Sequence, residues 1–456
     1  MSRLVVVSNR VALPGQNQAG GLAVGIEAAL RARGGVWFGW NGKTVRDGSG
    51  ELSEHRDGAI RYVTLDLSRR DVADYYNGFS NRTLWPLLHF RLDLVDYDRA
   101  TRASYRRVNA LFADKLMPLL HDDDIVWIHD YHLIPLAAML RERGVGCRIG
   151  FFLHVPMPSA DLVSALPDHA LLFSALYACD LVGFQTVRDA ERFRSYARLF
   201  GGARILEDGT LQFADGRRVR VGAFPIGIDT ARITAQSAAA VNKAPVRALR
   251  QSLGGRALAI GVDRLDYSKG LPERFRAFGR FLERHPAFRG KLTFLQIAPV
   301  SRGEVSEYKL LRNQLEGIAG HINGNHADPD WTPLRYVNRN FPHSTLTGFY
   351  RAAAIGLVTP LRDGMNLVAK EYVAAQNPDD PGVLVLSLLA GAALELDGAL
   401  LVNPHDLDGV ADAIAVAMAM PLAERKERWQ SLMVPIAGND IHAWCRGFLA
   451  ALADSR

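Results

Sequence analysis

Short apolar runs alternate with helical patterns along the whole chain, and this alternation constrains the fold more than any other feature. The runs at 4–8, 125–129 and 181–184 have the length of buried strands, and helical patterns follow the first two at 22–33 and 133–143. The alternation starts again at 257, after an alanine-rich polar stretch at 234–244 that we interpret as a domain boundary. Alternating strands and helices form parallel sheets covered by helices. The sequence therefore predicts an α/β protein with two Rossmann-like domains.

Composition and charge limit the functional classes. A chain of 456 residues is too long for one ordinary core, and 48% hydrophobic with 22% charged residues is typical of a globular protein. The net charge of +6 is mild, and no block of Lys or Arg stands out. We therefore expect anionic small molecules as partners, and no nucleic acid.

The cysteines and the apolar runs predict the compartment. Cys147, Cys179 and Cys445 are far apart and lack metal-ligand spacing, which is typical of a reduced interior. No run is long enough to span a membrane, and the N-terminus does not resemble a signal peptide. We expect a cytoplasmic protein that does not contact a membrane.

The segment 355–375 is the best candidate for a nucleotide site. A buried strand is followed by the turn Arg362-Asp363-Gly364, and Asn366 stands where a helix N-cap belongs. The backbone N–H groups and the dipole of the helix at 367–375 suit a phosphate or diphosphate. Glu371, about one turn into that helix, could accept both hydroxyls of a ribose. The alternative is an ordinary strand and helix of any α/β domain.

Other strand ends carry groups that suit phosphates. Gly20 and Gly21 stand between the first strand and a helix at 22–33, as a second phosphate cradle or as a plain turn. Arg264 and Lys269 occupy one turn after the strand at 257–262, as a diphosphate clamp or as a solvated basic turn.

Polar and aromatic side chains mark a further candidate site. Asp130 and His154 follow two consecutive predicted strands, at the sheet edge where ligands bind in open α/β sheets, although such residues also serve as caps. Tyr76 and Trp85 belong to an aromatic segment that could pack in the core or stack on a sugar ring. The acidic run at 122–124 precedes a strand, so we interpret it as a solvated loop and predict no metal site.

Long motifs occur in one order along nearly the whole chain. In the first half they are SNR (8–10), GGLAVG (20–25), WFGW (37–40), WIHDYHL (127–133), FFLHVPMPS (151–159) and GFQT (183–186). In the second half they are RLDYSKGLPERF (264–275), APVSRG (298–303) and LVTPLRDGMNLVAKEY (357–372). Together they closely resemble the retaining glycosyltransferases of family 20, the trehalose-6-phosphate synthases.

The resemblance implies a GT-B fold, with two Rossmann-like domains facing each other across a catalytic cleft. We place the acceptor domain at 1–235, the nucleotide-sugar domain at 236–435, and at 436–456 a C-terminal helix that returns to the first domain. The implied reaction transfers glucose from UDP-glucose to glucose 6-phosphate and gives α,α-trehalose 6-phosphate with retention. It implies no metal and no cofactor, because UDP-glucose is a substrate. We expect a homo-oligomer.

The resemblance also implies roles for individual residues. Catalysis would involve Asp130, His154, Arg264, Lys269 and Asp363. Trp85 and Val155 would select the acceptor anomer. The acceptor would be bound by Arg10, Trp40, Tyr76, Trp85, Asp130 and Arg302, with Arg10 and Arg302 on its phosphate. The donor would be bound by Gly20, Gly21, Arg264, Lys269, Phe341, Asp363, Gly364, Met365, Asn366, Leu367, Val368, Ala369, Lys370 and Glu371.

Two residues differ from the family pattern, and an alternative activity within the family stays open. Leu389 and Leu394 stand where the family commonly has Phe and Asn, which puts a polar contact from position 394 in doubt. A sister enzyme that makes glucosylglycerol phosphate, or a pseudo-glycosyltransferase, is the alternative within the family. Trp40, Tyr76 and Trp85 favour a hexose ring over glycerol.

A non-catalytic sugar-phosphate sensor is the alternative in another class. We would expect it to lack one or more of Arg264, Lys269, Asp363 and Glu371, and all of these are present. A Rossmann dehydrogenase is disfavoured because 4–25 lacks a compact GxGxxG turn. The sequence leaves the nucleotide of the donor open.

Overall fold

The computed structural model describes residues 2–15, 21–46, 50–300 and 306–455. It divides into two compact units. Unit 1 comprises Met1–Ile226 together with Ile441–Arg456, and unit 2 comprises Gly227–Asp440.

Unit 1 is built on a sheet whose described strands run in the order β3-β4-β2-β1-β5-β6-β7-β10-β9-β8. From β4 through β10 the neighbouring strands pair in parallel, whereas β3, β9 and β8 pair antiparallel at the two edges. The strands are β1 Leu4–Arg10, β2 Gly35–Val45, β3 Leu52–Asp57, β4 Ile60–Ser68, β5 Ile125–His129, β6 Arg148–Leu153, β7 Leu181–Phe184, β8 Arg204–Ile205, β9 Leu211–Gln212 and β10 Arg218–Ala223.

The helices of unit 1 alternate with these strands. Between α2 and α3 the segment Val72–Leu84 continues as a helix with wider, π-type hydrogen bonding. The helices are α1 Gly21–Arg33, α2 Arg69–Asp71, α3 Trp85–Leu88, α4 Arg99–Leu116, α5 Leu136–Glu142, α6 Ala160–Ser164, α7 His169–Phe173 and α8 Val187–Gly201.

Unit 2 is built on a sheet whose described strands are all parallel, in the order β13-β12-β11-β14-β15-β16. Apolar residues on both faces account for this, because a parallel sheet is covered by helices on each side. The strands are β11 Ala257–Val262, β12 Leu292–Ile297, β13 Leu334–Val337, β14 Ile355–Val358, β15 Val383–Ser387 and β16 Leu400–Val402.

The core of unit 2 lies between this sheet and its helices. Phe275, Phe278 and Phe281 repeat every three residues on α11, and Phe278 packs 5.3 Å from the ring of Phe294 on β12. The helices are α9 Thr230–Ala240, α10 Ala244–Ser252, α11 Leu271–Arg284, α12 Ser306–His326, α13 His343–Ala352, α14 Leu367–Ala375, α15 Leu407–Ala419 and α16 Leu422–Gly438.

The last helix, α17 (Ile441–Ala453), packs against the sheet of unit 1. Gly150 on β6 and Gly183 on β7 make room for it, because a Cβ at either position would lie within 2.8 Å of the Phe448 ring. The ring of Trp444 lies 4.9 Å from that of Trp127 on β5. The C-terminal segment therefore completes the core of unit 1.

The domain limits differ from those drawn on the sequence. The alanine-rich stretch at 234–244, interpreted as a boundary, lies mostly inside α9, whose N-cap Asp229 accepts a hydrogen bond from the N–H of Arg232. The limit placed after 435 also falls inside a helix, α16, which contains Pro435. Alanine favours helix in any context, so alanine-rich composition is a weak sign of a linker.

Both sheets contain a switch point, where the strand order turns in opposite directions. In unit 1 the switch lies at β1, between β2 and β5, and in unit 2 it lies between β11 and β14. Ligands of open α/β folds bind beyond the carboxyl ends of the strands at such points. In the part of the chain that the structure describes, no helix is both long and apolar enough to cross a membrane.

Candidate active site

At the switch point of unit 2, the loop after β11 contacts the turn after β14. Lys269 Nζ lies 2.6 Å from Asp363 Oδ2, which also accepts a hydrogen bond from Asn366 Nδ2 at 3.0 Å. Arg264, on the same loop, is exposed. Two cationic side chains proposed for the donor therefore follow the same strand, and Lys269 is bonded to a residue proposed for the donor sugar.

The helix N-terminus predicted at Asn366 is confirmed. Asn366 adopts a left-handed backbone conformation with φ of 73°, and its Oδ1 accepts a hydrogen bond from the N–H of Ala369 at 3.3 Å. The first N–H groups of a helix have no partner within the helix. Because the side chain of Asn366 engages Ala369, the N–H groups of Leu367 and Val368 are the ones suited to a phosphate.

Gly364 and Met365 form the buried turn before this helix. The turn packs closely on the segment after β15, since a Cβ at Gly391 would lie 1.9 Å from the carbonyl oxygen of Gly364. The backbone of the turn is therefore held by that segment.

Two neighbouring residues on α14 differ in their surroundings. Lys370 is buried and its Nζ lies 2.7 Å from Glu395 Oε2, and burial lowers the pKa of Lys370. The ammonium group of Lys370 is therefore engaged by Glu395 in the structure. Glu371 Oε1 lies 3.4 Å from Nε2 of His343 on α13. Phe341, which we expect beside the base of the nucleotide, precedes α13, and its ring lies 5.3 Å from that of Phe349 on α13.

At the switch point of unit 1, a row of rings begins at the end of β1. The guanidinium carbon of Arg10 lies 5.9 Å from the centre of the Trp40 ring. Trp40 is 5.9 Å from Tyr76, and Tyr76 stacks on His132 at 5.7 Å with only 13° between the ring planes. The structure thus brings together a cation and flat rings from four separate segments.

The same row continues to Trp85. His132 is 4.0 Å from the ring of Tyr131, which lies 5.6 Å from Trp85. Trp85 is buried and packs at 4.1 Å against His89. Flat aromatic faces suit the face of a sugar ring, and a guanidinium suits a phosphate.

Asp130 and His154 are in contact at the ends of the parallel neighbours β5 and β6. Asp130 Oδ1 accepts a hydrogen bond from the backbone N–H of His154 at 3.2 Å. Asp130 has φ of 75° and ψ of 167°, a region that residues other than glycine rarely adopt. Burial lowers the pKa of the His154 imidazole to about 3, so this ring is neutral near neutral pH. Val155 follows it and is buried.

Comparison with known proteins decides the family. The model of Glycosyltransferase family 20 matches residues 5–454. A curated trehalose-6-phosphate synthase from Sinorhizobium fredii is 51% identical over 460 residues, which covers 100% of this chain and 99% of the relative. The chain belongs to glycosyltransferase family 20.

Solved structures of the family agree along the whole chain. An alpha,alpha-trehalose-phosphate synthase (UDP-forming) from Burkholderia xenovorans in complex with glucose-6-phosphate is 49% identical with a TM-score of 0.96, and the match covers 99% of this chain and 100% of that one. A structure from E. coli bound with UDP-2-fluoro glucose is 48% identical with a TM-score of 0.94, and the match covers 99% of both chains. The predicted family and the GT-B class of fold are confirmed.

Two family positions lie outside the described residues, namely Gly20 and Arg302. Gly21 begins α1. Of the two departures from the family pattern, Leu394 is exposed and Leu389 is partly exposed.

The acidic run before β5 is only partly the solvated loop that we expected. His121 and Asp123 are exposed, but Asp124 is buried and accepts hydrogen bonds from Arg3 Nε at 3.0 Å and from the N–H of His121 at 2.8 Å. Side-chain atoms of His121, Asp123 and Asp124 approach within 4.8 Å of one another. Arg3 already balances the buried carboxylate, which favours a structural role.

Sequence reasoning missed Arg274, which is buried on α11 behind the donor loop. Its guanidinium donates hydrogen bonds to Asp263 Oδ2 at 2.6 Å, Gln296 Oε1 at 2.9 Å and Thr359 Oγ1 at 2.9 Å. Asp263 directly follows β11, Gln296 lies on β12, and Thr359 directly follows β14. It also donates to the carbonyl oxygen of Lys269 at 3.2 Å. The only local signal is its place in the motif at 264–275, because Gln296 and Thr359 come from more distant segments.

Proposed function

We propose that this chain is a retaining glucosyltransferase that moves glucose from UDP-glucose to glucose 6-phosphate and forms α,α-trehalose 6-phosphate. The observation that carries the proposal is the near-complete match, at about half identity, to trehalose-6-phosphate synthases. Related structures hold glucose-6-phosphate and UDP-2-fluoro glucose, the two kinds of ligand that the proposed sites suit.

The donor side of the proposal rests on positive groups at the switch point of unit 2. Breaking the bond between glucose and UDP builds negative charge on the leaving diphosphate. Lys269, Arg264 and the N–H groups of Leu367 and Val368 would neutralise that charge. Asp363 would contact the donor glucose, and Glu371 would accept hydrogen bonds from the ribose hydroxyls.

The acceptor side rests on the row of rings in unit 1. Trp40, Tyr76 and Trp85 would pack against glucose 6-phosphate, with Arg10 on its phosphate. Asp130 would orient the attacking hydroxyl. As the new bond forms, the proton of that hydroxyl passes to the leaving phosphate oxygen on the same face of glucose, so the scheme requires no pair of catalytic carboxylates.

His154 would stabilise the developing positive charge on glucose through its backbone carbonyl. Both ring nitrogens already have partners within unit 1, since Nε2 lies 3.0 Å from His129 Nδ1 and Nδ1 lies 3.4 Å from Gln185 Nε2. The ring is therefore engaged by the protein, and the carbonyl oxygen is the better candidate for the sugar.

Product analysis tests the proposal. The protein is mixed with glucose 6-phosphate and with UDP-, GDP- or ADP-glucose, and the product is identified by NMR, whose anomeric signals report retention. We expect trehalose 6-phosphate and UDP from the first mixture. In a parallel mixture, glycerol 3-phosphate replaces glucose 6-phosphate as the acceptor, and product only in that mixture would identify the sister enzyme. Binding of the substrates without nucleotide release would identify a sensor.

Compartment and assembly are further proposals. Cys147, Cys179 and Cys445 are buried free thiols, which suits a reducing compartment, so we propose a cytoplasmic location. Assembly into a homo-oligomer stays a prediction, and light scattering of the purified protein would test it. We propose no metal and no cofactor, and a turnover assay with and without a chelator checks the first of these.

A further inference from the structure

Gln185, the residue after β7, has an amide whose orientation is determined by the backbone. It is almost completely buried, and its Oε1 accepts a hydrogen bond from the N–H of Ile226 at 3.0 Å. A backbone N–H can only donate, so the oxygen of the amide must face it. The NH₂ group of Gln185 then points at Nδ1 of His154, 3.4 Å away.

The direction of this hydrogen bond determines which nitrogen of His154 carries the proton. Nδ1 must accept from Gln185, so the proton of the neutral ring lies on Nε2. Nε2 in turn lies 3.0 Å from Nδ1 of His129 and donates to it. His129 therefore carries its own proton on Nε2.

The reverse arrangement is disfavoured at Gln185. A proton on Nδ1 of His154 would face the NH₂ group, and two donors would then oppose each other at 3.4 Å. At the other end, Nε2 of the completely buried His129 has no hydrogen-bond partner within the described residues. It lacks a partner in either arrangement, so His129 does not decide between them.

We propose that Gln185 is a positioning residue that holds His154 as the neutral Nε2–H tautomer, and that His129, which accepts from Nε2, holds the ring in place. The rings of Trp444 and Phe152 enclose His154 at 5.9 and 4.6 Å. The lowered pKa of His154 agrees with a neutral ring. The backbone N–H of His154 donates a hydrogen bond to Oδ1 of Asp130.

The consequence for the reaction depends on the proposed function, since it concerns the donor glucose. A ring held in place by both nitrogens cannot swing, so the backbone carbonyl after it keeps one position. A neutral ring also places no positive charge beside the sugar as that sugar becomes positive in the transition state.

The wild-type protein tests the tautomer directly. Nitrogen NMR of protein labelled with ¹⁵N-histidine separates a protonated ring nitrogen from an unprotonated one, and the spectrum of His154→Asn identifies the signals of His154. We expect an unprotonated Nδ1 and a protonated Nε2 at neutral pH. A protonated Nδ1 would overturn the proposal.

Gln185→Glu tests the role of the amide. Its carboxylate can still accept from Ile226, but it turns an acceptor towards His154, so the proton should move to Nδ1. We expect that shift in the spectrum, with kcat about tenfold lower and KM for glucose 6-phosphate changed less than about twofold. An unchanged spectrum and kcat would contradict the proposal.

Two further variants separate this effect from general instability. Gln376→Glu makes the same exchange at another buried glutamine, in unit 2, whose Oε1 accepts from the N–H of Gly382 at 2.9 Å. It should leave the His154 signals as they are. If Gln185→Glu does not fold, Gln185→Met removes the amide, and both tautomers of His154 should then appear; a single Nε2–H form would contradict the role of the amide.

The spectrum is recorded without substrates, so it does not depend on the proposed function. The expected tautomer in a protein that forms no product would refute the function alone. Product formation with a protonated Nδ1 would refute the tautomer alone.

Discussion

Lys269 Nζ and Asp363 Oδ2 form an ion pair of 2.6 Å between the loop after β11 and the turn after β14. Both side chains are mostly buried, and Asp363 is held further by Nδ2 of Asn366. The cation, the carboxylate and the helix N-cap therefore form one hydrogen-bonded unit. Under the proposed function, the donor diphosphate would meet a lysine already positioned by its neighbour, which would reduce the reorganisation needed in the reaction.

Lys269→Ala removes a positive charge that we propose neutralises the leaving diphosphate. Loss of one such group costs about 3–4 kcal/mol in the barrier, so kcat should fall by about two to three orders of magnitude. Steady-state UDP release measures the change, and circular dichroism checks the fold. Lys291→Ala is the control, because Lys291 is exposed at the opposite, amino-terminal end of β12. A rate for Lys269→Ala equal to that of the control would remove Lys269 from the leaving-group role.

Asp130→Gly separates function from backbone strain. The conformation of Asp130, with φ of 75° and ψ of 167°, costs residues other than glycine about 1–3 kcal/mol. Glycine should therefore raise the free energy of unfolding, measured in urea, while turnover falls because the carboxylate is lost. Asp168→Gly is the control, since Asp168 also has a positive φ of 58° but lies outside the proposed site; it should keep its turnover. A destabilised Asp130→Gly would argue against stored strain.

Stability should fall as the pH drops below about 6.5, the ordinary pKa of histidine in an unfolded chain. Burial lowers the pKa of His154 to about 3 and holds that of His129 well below its usual range. Between these values the unfolded chain binds protons that the folded protein does not. Each of the two histidines then lowers the free energy of unfolding by about 1.4 kcal/mol per pH unit.

Urea denaturation at several pH values measures this dependence. Replacing His154 by Gln should reduce the slope by the contribution of one proton. His55→Gln is the control, because His55 is exposed on β3, and the wild-type slope should persist. An unchanged slope in His154→Gln would contradict this expectation, because it would show that His154 binds a proton as readily in the folded protein as in the unfolded chain.

Arg274→Met should destabilise the protein by about 3–5 kcal/mol, because it leaves the buried carboxylate of Asp263 without its cation. Adding Asp263→Asn to that variant should recover part of the loss. Arg280→Met on the same helix is the control: Arg280 pairs with Asp408 at 2.7 Å, but both are exposed, so the loss should stay below about 1 kcal/mol. Equal losses at the two arginines, measured in urea, would contradict a special role for burial.

Local structure was largely predictable from the sequence. The helix expected at 367–375 and the strands expected at 125–129 and 181–184 have those bounds in the structure, because an N-cap asparagine and short apolar runs act over a few residues. The helix around 234–240 was missed, since its alanine-rich composition suits both a helix and a linker.

The sequence by itself determined the α/β alternation, the glycine turns and the charged residues that follow the strands, because these depend on neighbours along the chain. Only the tertiary structure decided that Arg274 bonds Thr359, 85 positions away, and that His154 lies between His129 and Gln185. Such partners meet when separate strands enter one sheet, and the burial that accompanies this determines their protonation. Strand order and register, which no single segment encodes, set those contacts.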